Sequence, residues 1–223
     1  MSDIRIVLIH ATRVAIDPIE QAMKHYWPDA ETVSILEEGL SIDRASGAVP
    51  LSELNHRIVG LAHYAQQLNP TGILYTCSAF GAGIEQAADT LDIPVLKPNE
   101  AMFEAAFEQG TRVAMIYTFP PAVAGMEQEF RGEAKCLNSL ATIQSVYAQG
   151  ALESLKAGDK TLHDEIIAQC AAQIDDADVI LLTHFSMARA AQAVRNTTAL
   201  PVLTSPETAI TKMKVCIAEV GIS

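Results

Sequence analysis

The 223-residue chain is short of positive charge: 15 Lys and Arg stand against 27 Asp and Glu, for a net −12. Nucleic-acid binding rests on basic patches, so this balance argues against a DNA or RNA partner. It leaves room for a small anion held locally by backbone N–H groups. No apolar run approaches the roughly 20 residues that span a bilayer. No basic segment followed by an apolar core opens the sequence, so the expectation is a cytoplasmic protein with no membrane partner. The four cysteines, Cys77, Cys136, Cys170 and Cys216, form no CxxC pair. A cytosolic chain keeps its thiols reduced, so neither a disulfide framework nor a CxxC motif is expected. The six histidines are scattered without an HExxH pair, so no metal is expected. GxGxxG and GxxxxGK[ST] are both missing, and Gly81-Ala82-Gly83 is only a fragment of a phosphate cradle. Apolar residues make up 49%, enough for a sizeable core in one large domain or two small ones.

The most informative stretch is Gly72-Ile73-Leu74-Tyr75-Thr76-Cys77, followed by Ser78-Ala79-Phe80-Gly81. A short apolar run ends at a thiol, small residues follow, and a helical pattern opens. A buried parallel strand hands over to a helix in this way, and open α/β sheets bind ligands at the carboxyl ends of their strands. A helix start leaves backbone N–H groups unpaired and favours thiolate over thiol, so a depressed Cys77 pKa is expected.

This stretch has a counterpart. Arg5–Ile9 aligns with Arg112–Ile116 and Ile73–Cys77 with Ile180–His184, both at an offset of 107 and without gaps. The chain reads as two similar halves, in which Cys77 and His184 are equivalent points. The strand and helix signals alternate throughout, which favours a mostly parallel sheet in each half. The fold class is therefore α/β: two pseudo-symmetric halves, each a mostly parallel sheet flanked by helices, with the active site in the cleft between them. The first half spans 1–98, with the terminal helix 206–223 packing back on it, and the second spans 99–205. Glu37 to Val49 reads as a polar loop over the ligand-binding edge, Thr118-Phe119-Pro120-Pro121 as a loop, and Lys97-Pro98 as a hinge candidate.

A thiol and an imidazole facing one another suit proton transfer at carbon: one removes an α-proton and the other returns it on the opposite face. The N–H groups after Cys77 and His184 are placed to carry enolate-like charge, and no cofactor is needed. The same pair also suits thiol hydrolysis, as nucleophile and base. Cys77 has the alternative of being a buried apolar thiol, and His184 of being a structural histidine. Thr12, Thr118 and His10 lie near strand ends, where contact with substrate and a turn role are both open. The remaining three cysteines read as structural, and Glu37 and Glu38 as a solvated loop.

Thr76-Cys77-Ser78-Ala79-Phe80 resembles the first cysteine motif of the aspartate/glutamate/hydantoin racemase superfamily. Val179–Ala188 resembles the second, in the hydantoin-racemase form Leu-Gly-Cys-Ala-Gly-Met-Ala, with His184 in place of the second cysteine. Thr183-His184-Phe185 is also similar to the Cys-Thr-His-Phe-Pro run of glutamate racemases, which would set Leu182 at the cysteine. The offset of 107 agrees with the first alignment, and both leave the second cysteine missing. The resemblance covers nearly the whole chain. It implies a small carboxylate substrate held by backbone amides and hydroxyls at Ser78, Ala79, Thr118, Phe185, His10 and Thr12; His10 stands where many relatives have Asn. The superfamily also includes arylmalonate decarboxylases, with one catalytic cysteine, and maleate isomerases.

Three function classes follow. One is a cofactor-independent racemase or isomerase of a small carboxylate, amino acid or hydantoin-like molecule, using Cys77 and His184. Another is a single-cysteine decarboxylase of a malonate-like acid. The third is a non-catalytic carboxylate-binding protein. The sequence leaves homo-oligomerisation open.

Overall fold

The computed structural model describes residues 4–219 and 221; residues 1–3 of the first half, and 220, 222 and 223 of the expected terminal helix, lie outside the described residues. β1 (Arg5–His10), β2 (Glu31–Leu36), β3 (Gly72–Tyr75) and β4 (Val95–Leu96) form one sheet in the order β2-β1-β3-β4. β5 (Arg112–Tyr117), β6 (Thr142–Tyr147), β7 (Val179–Leu182) and β8 (Val202–Thr204) form the other, as β6-β5-β7-β8. Every pairing is parallel. Buried apolar strands linked through helices lead to this architecture.

The 107-residue repeat extends to individual hydrogen bonds. Ile6 lies opposite Gly72, and Val113 opposite Val179; Ile73 lies opposite Val95, and Ile180 opposite Val202. Thr76 donates its N–H and Oγ1 to the Ile9 carbonyl, and Thr183 donates the same pair of groups to the Ile116 carbonyl. The outer strand departs from the offset. Arg5 faces Glu31 whereas Arg112 faces Thr142, so 142 − 31 gives 111, four residues more in the second half.

Ten α-helices are found among the described residues: α1 (Ile16–Tyr26), α2 (Gly39–Ser46), α3 (Leu51–Gln66), α4 (Gly81–Ala88), α5 (Glu100–Gln109), α6 (Pro120–Cys136), α7 (Ala151–Lys156), α8 (Lys160–Ala171), α9 (Ala191–Arg195) and α10 (Ser205–Glu219). Alternation along β1 sends Val7 and Ile9 to the α3/α4 face and Ile6 and Leu8 to the α1/α10 face. Met213 and Ile217 of α10 join Ile19 and Met23 of α1 in that second cluster. Gly72 lets α10 pack close there: an added Cβ would stand 2.6 Å from Met213 Sδ, and that side chain would have to shift. The two halves share apolar cores, since Phe185 belongs to the buried cluster that holds Ile6 and Leu8, and Met115 and Met126 to the one that holds Val7 and Ile9. No helix among the described residues is long and apolar enough to cross a membrane.

Three helices replace segments that read as loops or carried no assignment. α2 lies within 37–49 and ends at Gly47, whose φ of 68° is the left-handed conformation glycine supplies at helix ends. Pro120 and Pro121 open α6 rather than closing a loop, because a first-turn proline gives up no needed N–H. α7 is a short helix between Gly150 and Gly158, both at positive φ. Glu37 and Glu38 are tied down by Arg57 and Arg13 respectively.

Candidate active site

β3 and β7 end at the same edge of their respective sheets, and the next backbone positions differ from helix. Cys77 is extended (φ −121°, ψ 120°) and opens the turn Ser78–Phe80; His184 is extended (φ −105°, ψ 139°) and opens the turn Phe185–Ala190. These equivalent positions line one cavity of about 290 Å³. The first half adds Thr12 and Ser78 to its wall, and the second adds Thr118 and Phe185. Six of the eight expected site residues are thus brought together.

His10 and Ala79 are not among the lining residues. His10 is fully buried, with Nδ1 2.8 Å from Thr76 Oγ1 and Nε2 3.2 Å from Ser34 Oγ. Burial pulls its pKa down to about 4, so the ring is a neutral brace between β1, β2 and the residue preceding Cys77. Ala79 acts through its backbone, whose N–H donates to the Cys77 sulfur.

The expected depression of the Cys77 pKa is not found. Burial pushes the thiol up to about 11, outweighing the Ala79 N–H and the more distant charge of Arg44. The reason is local: α4 begins only at Gly81, after the intervening turn, and helix-terminal fields fade within a turn. His184 is shifted the other way, down to about 4 by burial. Its Nδ1 lies 3.2 Å from the Thr118 N–H nitrogen and 3.1 Å from Thr118 Oγ1. A backbone N–H can only donate, so Nδ1 is the acceptor and the neutral ring carries its proton on Nε2. Nε2 is buried without a protein partner, as is Ser78 Oγ. The site therefore pairs a protonated thiol with a neutral imidazole.

Sequence reasoning missed the cavity's outer wall. Ser41, Ile42 and Ala45 come from α2, and Leu152 and Lys156 from α7. These short helices each follow the outermost strand of a half, and the bracketing glycines were the available signal. Lys156 is the single cationic lining residue and makes no ion pair with a described residue. Apart from Cys77 and His184, the rest of the wall is small hydroxyls and apolar groups.

Solved structures of similar fold were found at low identity. Glutamate racemase isoform RacE1 from Bacillus anthracis superposes with a TM-score of 0.80 at 12% identity, covering 100% of this chain and 84% of that one. Allantoin racemase from Pseudomonas fluorescens gives 0.72 at 19%, covering 99% and 93%. A glycine-to-cysteine mutant of arylmalonate decarboxylase gives 0.67 at 15%, covering 96% and 93%. At these identities the likeness is one of fold. No curated protein sequence matches the chain. The sequence does match the Asp/Glu/Hydantoin racemase family across residues 19–213. The chain belongs to the Asp/Glu/hydantoin racemase family.

Proposed function

We propose that this protein is a cofactor-independent racemase or isomerase that moves a proton at the α-carbon of a small carboxylate, amino acid or hydantoin-like substrate. Family membership and the racemase neighbours support the isomerase class. The observation that carries the residue roles is the equivalence of Cys77 and His184, each following an equivalent strand and each lining the same cavity.

In this reading, shifting one proton from the Cys77 thiol to His184 gives a thiolate and an imidazolium at unchanged total charge. The thiolate removes the α-proton, and the electron pair left behind spreads into the carboxylate as an enediolate. The imidazolium returns a proton to the opposite face, which inverts the centre and leaves Cys77 protonated. Ser78 Oγ and the Ala79 and Phe185 amides are the proposed donors to the carboxylate oxygens. The shift has a cost, because protonating His184 Nδ1 breaks its bond from the Thr118 N–H.

That cost favours a second reading on one specific point. A malonate-like acid that loses CO₂ leaves an enediolate that needs only a proton, and the resting Cys77 thiol already holds one. The thiolate so formed is reprotonated from solvent, and His184 donates a hydrogen bond from Nε2 without leaving Thr118.

One experiment separates the readings. A panel of small amino acids, hydroxy acids, hydantoins and substituted malonates is incubated with the enzyme in D₂O and followed by proton NMR. Deuterium entering the α-position with inversion of the centre is the expected result. Release of CO₂ from a malonate without α-exchange of any monoacid moves the assignment to the lyase. Saturable binding with neither reaction contradicts both.

A further inference from the structure

Cys77 and His184 share a cavity wall that is rich in donors and carries no negative charge. Among the described residues that line it there is no Asp or Glu, and the one formal charge is the Lys156 ammonium on α7. Carboxylates on flanking segments are held by arginines outside the wall: Glu37 and Asp43 by Arg57, Glu38 by Arg13, and Asp164 by Arg189. Asp17 lines the adjoining groove together with Arg13, Lys160 and Arg189. Backbone acceptors at the wall are engaged as well. The carbonyls of Thr12, Phe119 and His184 accept the N–H groups of Ala15, Ala122 and Met187, at 3.3, 3.1 and 2.8 Å.

The unsatisfied groups of the wall have the opposite preference. Ser78 is 4% exposed, and its Oγ has no hydrogen-bond partner. His184 Nε2 is buried and unpartnered in the same way, and it is a donor because Nδ1 accepts from Thr118. Both residues line the cavity, and two buried donors without acceptors suit the oxygens of an anion. Val14, Ile42, Phe119 and Leu152 add apolar surface beside them. An ammonium group entering this cavity gives up its water and meets no carboxylate. Burying a charge without a counter-charge is costly.

We propose that the substrate is a small carboxylate that carries no ammonium group, which removes the α-amino acids from the range assigned above. This rests on the reading of the cavity as the reaction site. The Ser78 hydroxyl and the His184 Nε2–H present their protons to the bound anion, and Lys156 adds attraction for negative charge from α7. The substituent on the α-carbon lies against the apolar surface, where an ammonium would find neither water nor a partner.

Calorimetric titration of the full chain with isosteric pairs tests this: 2,3-dimethylbutanoate against valine, and methylsuccinate against aspartate. Within each pair a methyl group replaces the ammonium. The methyl acids are expected to bind saturably and at least about tenfold more tightly than the amino acids. Ser78→Ala weakens the methyl acids about tenfold by removing a hydrogen bond to a charged group. Thr12→Asp sets a carboxylate in the wall, at a helix-capping position that suits aspartate as well as threonine, and narrows the preference about tenfold. Equal or tighter binding of either amino acid overturns the proposal. So does absence of saturable binding by both methyl acids, or an unchanged preference in a Thr12→Asp protein with native circular dichroism. The two readings fail separately. Amino acids that bind and exchange their α-hydrogen in D₂O leave the racemase standing and remove this substrate class. Methyl acids that bind, while no acid of the panel exchanges, leave the class standing and remove the racemase.

Discussion

The backbone N–H of Thr118 points at Nδ1 of His184, 3.2 Å away, from the residue that directly follows β5. This bond joins the ends of neighbouring strands β5 and β7 and fixes which ring nitrogen holds the proton. It also makes His184 a hydrogen-bond donor first and a base only at a cost. Thr118→Val keeps the backbone donor and removes only the hydroxyl, so the tautomer is expected to survive it.

Nitrogen-15 NMR of the imidazoles reads this directly. His184 is expected to show an unprotonated Nδ1 and a protonated Nε2 from pH 8 down to pH 5, and to titrate near 4. A protonated Nδ1 at neutral pH, or titration near the ordinary histidine value of about 6.5, contradicts the geometry.

Thiol reactivity gives an independent check. With limiting iodoacetamide at pH 7, exposed Cys136 is expected to be alkylated before half-buried Cys77, whose thiol is held near 11. The Cys77 rate then climbs about tenfold per pH unit as its thiolate fraction grows. Peptide mass spectrometry that finds Cys77 labelled first at pH 7 refutes the resting-thiol description.

Acid stability follows from His10. Its folded pKa of about 4 lies below the ordinary 6.5, so the unfolded chain takes up the proton first as pH falls. The stability contributed by the neutral ring is full above pH 6.5 and is lost between 6.5 and 4. By this linkage His10 accounts for a loss of roughly 2 kcal/mol between pH 7 and pH 5, and His184 adds in the same direction. Urea unfolding at the two pH values measures it; His10→Asn is less stable at pH 7 but flatter with pH. A wild-type unfolding free energy that does not change between them removes the neutral-brace role.

The two parallel α/β halves and the equivalence of Cys77 and His184 in the repeat were legible because buried parallel strands are short apolar runs, and two such runs repeat at one spacing. The helices that wall the cavity were not. α2 and α7 are short and partly polar, and their signals are glycines that also mark loops. The thiol's raised pKa was invisible because it depends on where α4 begins and how much surrounds the sulfur, neither of which is a local pattern. Lys97 read as punctuation before Pro98, since lysine is ordinarily exposed. Its burial follows from carboxylates on α4, α5 and α6 that only the fold brings together.

The central claim is that Cys77 carries the proton. Once the substrate panel yields an exchanging compound, deuterium wash-in at its α-carbon is measured from both enantiomers with wild type, Cys77→Ala and His184→Ala. Cys77→Ala is expected to lose exchange from both enantiomers by about 10²–10⁴-fold, the usual scale for removing an acid/base group. His184→Ala is expected to lose it from one enantiomer more than from the other. Wild-type exchange rates in Cys77→Ala contradict the account.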